Sequence, residues 1–285
     1  MNRQKQIPFR PRLSINMWYR SRTLAVSSLA LISFGASAQA IDPPGQTPPA
    51  AVPAPAPPPD PERPVSWKLL VPNILNDQKE IWLFPARLVE GHSLIPTAAI
   101  LGTTAGLVAL DPTEAPYFRR TSTFQSFNNV FTGNATAIGT VVAPVSLYVA
   151  GLIRKDDKMK RTALFAGEAV ADAEIVTTFL KDATKRVRPA AIPPPGNYWD
   201  SWFESKGSLL RGNGSFPSGH TIAAFSVATV VARRYGNHRW VPYAAYGAAA
   251  LVGFSRLTLS AHFLSDVFLG GALGYSISRF AVLRQ

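Results

Sequence analysis

The sequence predicts an all-α protein in which a helical domain follows an N-terminal leader and a proline-rich segment. Long stretches rich in Ala, Leu and Val run from about Val65 to Gln285, and Pro, Gly and Asn separate them. Alternating runs of β-branched residues, which strands would favour, are few. With 285 residues, of which 47% are hydrophobic, the chain is large enough to bury a core.

Charge and cysteine content exclude several functional classes. The net charge of +12 first suggests a nucleic-acid or membrane-surface binder, but residues 1–40 contribute six basic residues and no acidic one. The rest of the chain carries a net charge of +6, which is typical of a mildly basic globular domain and predicts no nucleic-acid partner. Because the chain has no cysteine, disulfides, thiolate metal sites, thiol nucleophiles and lipoprotein anchors are excluded.

The first element in chain order is a predicted signal peptide over residues 1–40. Arg20 and Arg22 precede an apolar run, Leu24–Phe34, which ends in small residues that fit an A-x-A cleavage site. Counted from Met17 the leader has 24 residues, so Met17 is a second candidate start. Eleven apolar residues are too few to span a bilayer, so we expect export to the periplasm rather than an uncleaved membrane anchor.

A proline-rich linker is predicted over residues 41–64. Proline lacks the amide donor and is unfavourable inside a helix or a sheet, so this segment should be an extended, semi-rigid spacer. We expect the folded domain to occupy residues 65–285.

Eight helices are predicted within the folded domain. The segment Pro189–Phe216, rich in Pro, Gly, Trp and Ser, separates the fifth from the sixth and is predicted to be a long functional loop. The predicted helices cover residues 78–90, 94–110, 123–131, 135–153, 160–186, 219–234, 240–256 and 262–282.

Hydropathy is compatible with more than one environment for these helices. Residues 135–153 form an uncharged stretch of 19 residues, whereas the stretches at 94–110 and 241–255 have 17 and 15. Residues 160–180 of the fifth helix carry Glu168, Asp172 and Glu174, which are costly in lipid, and the mean hydropathy is only +0.07. These values favour the buried helices of a soluble bundle, with membrane spans or a peripheral membrane domain as alternatives.

The first candidate motif places two cations near the end of the fifth predicted helix. Lys181 and Arg188 are seven residues apart, which corresponds to two turns on one helix face, and Pro189 follows as a helix stop. Two fixed cations on one face can bind an anion. Taken alone, the motif is more typical of a solvated basic helix end.

The second motif is Pro217-Ser218-Gly219-His220, directly before an apolar helical run. The Ser218 hydroxyl and the backbone amide of Gly219 would point at an anion bound at the helix N-terminus, with His220 beside that anion. An ordinary N-cap turn with an incidental histidine is the alternative interpretation.

The third motif joins Ser255 and Arg256 to His262 and Asp266. At positions i and i+4 of a helix, Asp266 would accept the Nδ1 proton of His262 and orient Nε2 outward, as a histidine nucleophile or base requires. Taken alone, the pair also fits a structural contact at a helix start.

Together, K-x6-R-P, P-S-G-H and S-R-x5-H-x3-D resemble the complete signature of the type 2 phosphatidic acid phosphatase (PAP2) family. That family includes the bacterial class A acid phosphatases, the membrane lipid phosphatases and the vanadium-dependent haloperoxidases. All eleven signature positions match between Lys181 and Asp266. The resemblance implies a helical bundle of the PAP2/haloperoxidase type and a phosphoric ester hydrolase.

The resemblance also implies a role for each signature residue. His262 attacks phosphorus and becomes phosphohistidine, Asp266 orients it, and His220 protonates the leaving alcohol. Five residues bind the phosphate oxygens: Lys181, Arg188, Ser218, Gly219 and Arg256. No metal or cofactor is implied, because the cations neutralise the phosphate, and vanadate would bind as a phosphate analogue.

Within the family, the leader, the linker and the moderate hydropathy favour an exported, periplasmic phosphomonoesterase similar to class A acid phosphatases. The alternative is a membrane-associated lipid phosphatase that acts on phosphatidic acid, undecaprenyl diphosphate or a lipid A phosphate, with Trp199, Trp202 and Phe203 contacting lipid.

Two further hypotheses are less well supported. A vanadate-dependent haloperoxidase is a remote alternative, because such enzymes are generally much longer. A catalytically inactive binding module would lack one of the signature residues, and none is missing. The expected partner is therefore a phosphate ester, either a small molecule or a lipid, with contact to a membrane surface in the lipid case.

Overall fold

The computed structural model describes residues 62–194 and 196–284, and every regular element in these ranges is helical. The all-α prediction is confirmed. The predicted signal peptide and all but the last three residues of the predicted linker lie outside the described residues. The eight α-helices are α1 (Leu70–Val89), α2 (Leu94–Arg120), α3 (Gln125–Val130), α4 (Gly133–Arg154), α5 (Asp157–Thr184), α6 (Gly219–Arg234), α7 (Trp240–Thr258) and α8 (Leu264–Ser276).

Two short helices complete the fold. A 3-10 turn, Pro189–Ala191, lies in the long segment between α5 and α6, and a π-helix, Ile277–Val282, continues α8. The helix predicted over 262–282 therefore begins two residues later than predicted, at Leu264. It is an α-helix as far as Ser276 and a π-helix from Ile277 to Val282.

The central helix is α6, which contacts α4, α5, α7 and α8. Small residues on α5, such as Ala169, allow close approach to α6, and Phe165, Ile222 and Val230 are buried in the shared core. The first residues of α6 carry the P-S-G-H motif, so this packing fixes the motif within the bundle.

Two glycines bring α8 against the start of α6. A Cβ atom at Gly274 would overlap the carbonyl oxygen of Ile222, and one at Gly270 would lie 2.9 Å from the carbonyl oxygen of Ser218. The resulting contact places Asp266 beside Ser218, whose amide donates to the Asp266 carbonyl oxygen at 3.0 Å.

Polar side chains cap the N-termini of α4 and α5. The Thr132 hydroxyl accepts the amide of Ala135 at 3.0 Å, and the Asp156 carboxylate accepts the amide of Met159 at 3.0 Å, so both residues act as N-caps. At its other end α5 stops at Lys185, which adopts a left-handed backbone with φ 42°.

α2 extends ten residues beyond its predicted end, through Pro112 and Pro116. Because proline is unfavourable inside a helix, the predicted helix ended at residue 110, before Pro112. Contacts with α8 compensate, because the carboxylate of Asp111 accepts the amide of Ser265 at 3.1 Å and that of Glu114 accepts the amide of Leu264 at 3.0 Å. Acidic side chains of α2 thereby satisfy the free amides at the start of α8.

α1 begins at Leu70, eight residues before its predicted start. Its first turns are held by distant partners: the Asn73 amide donates to Glu168 at 2.8 Å, and Arg63 pairs with Asp77 at 2.7 Å. These contacts join segments far apart in the sequence, so local propensity did not indicate them.

Two helices, α2 and α4, are long and apolar enough to cross a membrane, and only 11% of the most hydropathic window of each is buried. Exposed apolar side chains include Ile95 on α2 and Ile138, Val141 and Ile153 on α4. The soluble-bundle interpretation requires these stretches to be buried. In the structure they face outward.

Candidate active site

His262 lies in the short turn between α7 and α8 and is almost completely buried. Its Nδ1 atom is 2.7 Å from the carbonyl oxygen of Ser215. A carbonyl oxygen can only accept, so Nδ1 carries the proton and Nε2 keeps its lone pair. The backbone therefore fixes the tautomer that a histidine nucleophile requires.

Asp266 is the third residue of α8 and is fully buried. Its Oδ2 atom accepts the amide of Phe263 at 2.9 Å and the hydroxyl of Ser215, and lies 3.5 Å from His262 Nδ1. The predicted i, i+4 pair on one helix is thus wrong in detail, because His262 precedes α8 and its nearer acceptor is the Ser215 carbonyl. Asp266 instead caps the start of α8 with its charge beside the imidazole.

Arg186 holds the other carboxylate oxygen of Asp266, at 2.7 Å. The same guanidinium bonds Asp111 of α2 at 2.7 Å, and it lies between the rings of Trp202 and Phe263, at 4.3 and 3.8 Å from their centroids. Each charge in this buried cluster has an opposite charge in contact, as burial requires.

Three residues of this cluster, Arg186, Asp111 and Ser215, were not identified from the sequence. Two further basic residues, Lys185 and Arg186, lie between Lys181 and Arg188, and they were the available signal for Arg186. The sequence held no local signal for Asp111 and Ser215, because each contacts the site across a long stretch of chain.

The P-S-G-H motif forms the N-terminus of α6, as predicted. Ser218 is the N-cap residue, and its hydroxyl accepts from Thr221 at 2.9 Å instead of capping the helix. A Cβ atom at Gly219 would lie 3.3 Å from the ammonium nitrogen of Lys181. Glycine therefore leaves room for this cation directly beside the free amides of α6, which suits an anion.

Lys181 and Arg188 do not share a helix face, contrary to the prediction. Lys181 lies in the last turn of α5, whereas Arg188 follows the helix end in an extended backbone and is exposed. Both cations still act on His262: burial lowers the pKa of its imidazole, the charges of Arg188 and Lys181 lower it further, and Asp266 opposes them. The neutral imidazole is therefore favoured.

Arg256 and His220 meet at the start of α4. A guanidinium nitrogen of Arg256 donates to the carbonyl oxygen of Phe131 at 2.8 Å, and Nε2 of His220 lies 3.1 Å from the carbonyl oxygen of Gly133, to which it donates. The segment between α3 and α4 thus positions a cation and a histidine together. The sequence analysis did not assign this segment to the site.

These contacts bring the predicted residues to one end of the bundle, where α5 and α7 end and α6 and α8 begin. There a buried histidine, whose neutral form is favoured and whose Nε2 carries no proton, lies near Lys181 and Arg188, and Lys181 lies beside the free amides of α6. This arrangement can bind a tetrahedral oxyanion and attack its central atom.

Comparisons with known proteins agree with this geometry. Residues 162–285 match the family model described as the PAP2 superfamily. Two curated relatives come from Porphyromonas gingivalis strain ATCC 33277: a lipid A 1-phosphatase, 43% identical over 61 residues, and a lipid A 4'-phosphatase, 28% identical over 128 residues. The first match covers 21% of this chain and 14% of the relative, and the second covers 43% and 52%.

A comparison with solved structures matches the crystal structure of a transmembrane PAP2-type phosphatidylglycerolphosphate phosphatase from Bacillus subtilis. It is 21% identical with a TM-score of 0.38, and the alignment covers 72% of this chain and 94% of that one. The chain spans about half the length, or less, of the curated relatives it matches. Residues 162–285, which match the model of the PAP2 superfamily, contain all the catalytic and phosphate-binding residues predicted from the sequence.

Proposed function

We propose that the chain is an exported, membrane-associated lipid phosphatase that removes a terminal phosphate from a lipid through a phosphohistidine at His262. The observation that carries this proposal is the fixed tautomer of His262, which leaves Nε2 unprotonated on an imidazole exposed to the charges of Lys181 and Arg188.

In the first step, His262 Nε2 attacks phosphorus, the N–P bond forms and the ester P–O bond breaks. Burial lowers the pKa of His220 to about 4, and the negative charge of the bound phosphate raises it, so His220 takes up a second proton with the substrate. His220 gives this proton to the departing alkoxide, and the resulting alcohol leaves. Lys181, Arg188 and Arg256, with the Ser218 hydroxyl and the Gly219 amide, bind the phosphoryl oxygens as their charge redistributes. Asp266 balances the positive charge on the imidazole.

In the second step, water attacks phosphorus and the N–P bond breaks. His220, now deprotonated, accepts a proton from that water. Both His220 and His262 thereby return to their initial states, and inorganic phosphate is released. Lys181, Arg188 and Arg256 stabilise the phosphoryl charge again. The chain's own side chains supply each proton transfer in this cycle.

The exposed surfaces of α2 and α4 support a lipid substrate. Both helices meet the length and composition of a membrane span and bury little of their apolar surface. Both curated relatives are named as lipid A phosphatases. A soluble, periplasmic acid phosphatase, favoured by the sequence alone, is less well supported because it leaves these apolar surfaces in water.

The long loop between α5 and α6 adds a second apolar surface close to the site. Its backbone is tied to the end of α5, since the amide of Phe203 donates to the Thr184 carbonyl oxygen at 3.0 Å. Trp199, Phe203 and Leu210 are exposed on this loop, whereas Trp202 packs on Phe216 and Arg186. Exposed aromatic side chains of this kind are typical of a membrane interface.

A substrate comparison tests the proposal. The full chain, purified in detergent, would be given dispersed phosphatidic acid, a polyprenyl diphosphate, lipid A and water-soluble phosphomonoesters, with His262→Ala as the blank. We expect phosphate release from lipid at a higher kcat/KM than from soluble esters. A protein that is stable without detergent and prefers soluble esters would contradict the lipid assignment.

A further inference from the structure

A basic cavity of about 210 Å³ lies far from the catalytic end of the bundle. It is formed by residues 62–63, the start of α5, the end of α6 and the π-helix. Thirteen residues of α6 separate His220 from Arg233, which corresponds to about 20 Å at 1.5 Å per residue. Its cationic lining residues are Arg63, Lys158, Arg233, Arg234, Arg279 and Arg284.

Three of these cations have carboxylate partners and three do not. Arg63 pairs with Asp77 and Glu168, Arg234 pairs with Glu62, and Arg284 lies 3.8 Å from Asp77 and 3.6 Å from Glu80.

Within residues 62–194 and 196–284, Lys158, Arg233 and Arg279 contact no carboxylate. Lys158 lies 4.7 Å from the ring centroid of Tyr235, and Arg279 lies 5.6 Å from that of Phe280. The cavity therefore carries three cations whose charge no described acid neutralises.

The wall of the cavity is preorganised for an anion. Two guanidinium groups, those of Arg63 and Arg234, lie 5.8 and 5.0 Å from the ring centroid of Phe165. Two carboxylates hold Arg63 in place, yet its Nε–H is buried and has no hydrogen-bond partner among the described residues. That atom is closed off from the cavity, so Arg63 contributes a fixed cationic wall, and the cations without carboxylate partners are the groups free to bind an anion.

We propose that this cavity is a second anion site, which binds the phosphate group of an anionic phospholipid and is separate from the catalytic centre. Arginines suit phosphate because their fork of donors matches its oxygens. Basic pockets between membrane helices bind phospholipid headgroups in the same way. The choice of a lipid over free phosphate as the ligand rests on the membrane location in the proposed function. The prediction that the ligand carries a phosphate group does not depend on that location.

Lipid binding to the full chain in detergent micelles tests this site. The probes are phosphatidylglycerol, a phosphodiester that a phosphomonoesterase does not cleave, and zwitterionic phosphatidylcholine, with binding followed by native mass spectrometry. We expect Arg233→Gln with Arg279→Gln to weaken phosphatidylglycerol binding about tenfold. Lys158→Glu at the exposed rim, a second variant, should weaken it in the same direction.

The matched control is Lys206→Gln with Arg211→Gln. It removes the same charge from exposed positions of the loop between α5 and α6, at the catalytic end of the bundle and outside the cavity lining. We expect this control to weaken binding by less than about twofold, since a remote exposed charge acts only through a screened field. Equal weakening by both double variants, or none by either, would overturn the proposal.

Two further measurements separate the possible causes. Inorganic phosphate that displaces phosphatidylglycerol from the wild-type chain would make free phosphate a ligand of this site, whereas failure to displace it would assign the site to lipid. Both double variants should hydrolyse a soluble phosphomonoester at the wild-type rate. A wild-type chain without phosphatase activity that still binds phosphatidylglycerol through Arg233 and Arg279 would refute the proposed function and leave the cavity assignment intact.

Discussion

At the scale of single residues, the site depends on how His262 is held. The Ser215 carbonyl fixes its tautomer. Asp266 lies beside the imidazole, and its two carboxylate oxygens accept hydrogen bonds from Arg186 and from the Ser215 hydroxyl. The three motifs identified these histidine and aspartate residues because their spacing matches one chemistry. They did not identify Arg186 or Ser215, whose contacts depend on the folded chain rather than on local spacing.

Arg186→Lys tests whether this arginine positions Asp266. Lysine keeps the charge but cannot bond Asp111 and Asp266 at once with a planar fork, so Asp266 should lose its fixed orientation. We expect kcat to fall about 10- to 100-fold with little change in KM. The control is Arg211→Lys on an exposed part of the neighbouring loop, which should leave kcat unchanged. A change in KM alone would argue against a positioning role.

His220→Asn tests the general acid. Removing a proton donor should slow the release of poor leaving groups by about 10²- to 10⁴-fold, and good leaving groups much less, because they need no proton. The measurement compares kcat for an alkyl phosphate and for p-nitrophenyl phosphate. Equal losses for the two esters would rule out this role for His220.

The pH dependence follows from the pKa of His262. Burial and the charges of Arg188 and Lys181 lower it, so the neutral, nucleophilic form persists below the ordinary value of about 6.5. The acidic limb of kcat/KM should therefore lie below that pH. Arg188→Gln removes one of the cations and should move the limb toward neutral pH, whatever the activity that remains. An unchanged or more acidic limb in this variant would contradict the assignment.

At the scale of secondary-structure elements, the sequence predicted the number and order of the helices, because apolar periodicity and proline, glycine and asparagine breaks are local signals. It did not predict the passage of α2 through Pro112, and it placed the end of α5 two residues too late, at residue 186 instead of Thr184. Both depend on non-local contacts: Asp111 and Glu114 bind the start of α8, and the amides of Phe203 and Ser205 bind the carbonyls at the end of α5.

Gly274→Ala tests the contact between α6 and α8. The added methyl group would overlap the Ile222 carbonyl oxygen, which belongs to the backbone and cannot rotate away. We expect a loss of about 1–3 kcal/mol in the free energy of unfolding, together with reduced activity because Asp266 and Ser218 move apart. Gly247→Ala on α7 meets no atom within 4 Å and should be neutral or stabilising by up to about 1 kcal/mol. Thermal unfolding of both variants checks this, and equal melting temperatures would contradict it.

At the scale of the whole molecule, the sequence favoured a soluble bundle because the apolar stretches are short and acidic residues interrupt the fifth helix. In the structure, the acidic residues of α5 and the apolar stretches of α2 and α4 have different surroundings. Two of the three acidic residues within 160–180, Glu168 and Asp172, face polar partners inside the bundle, Arg63 and Gln78, whereas the third, Glu174, is exposed. The apolar faces of α2 and α4 point outward instead. Mean hydropathy cannot separate these cases, because it does not record which face of a helix is buried.

The central claim is that His262 Nε2 forms a covalent bond to phosphorus. Its most direct test is rapid acid-free quenching of the full chain with a ³²P-labelled lipid phosphate, followed by peptide mapping that distinguishes the two phosphohistidine isomers. We expect label on His262 at Nε2, because Nδ1 is occupied by the Ser215 carbonyl, and no label in His262→Ala. Label at Nδ1, label on another residue, or turnover by His262→Ala would contradict the account.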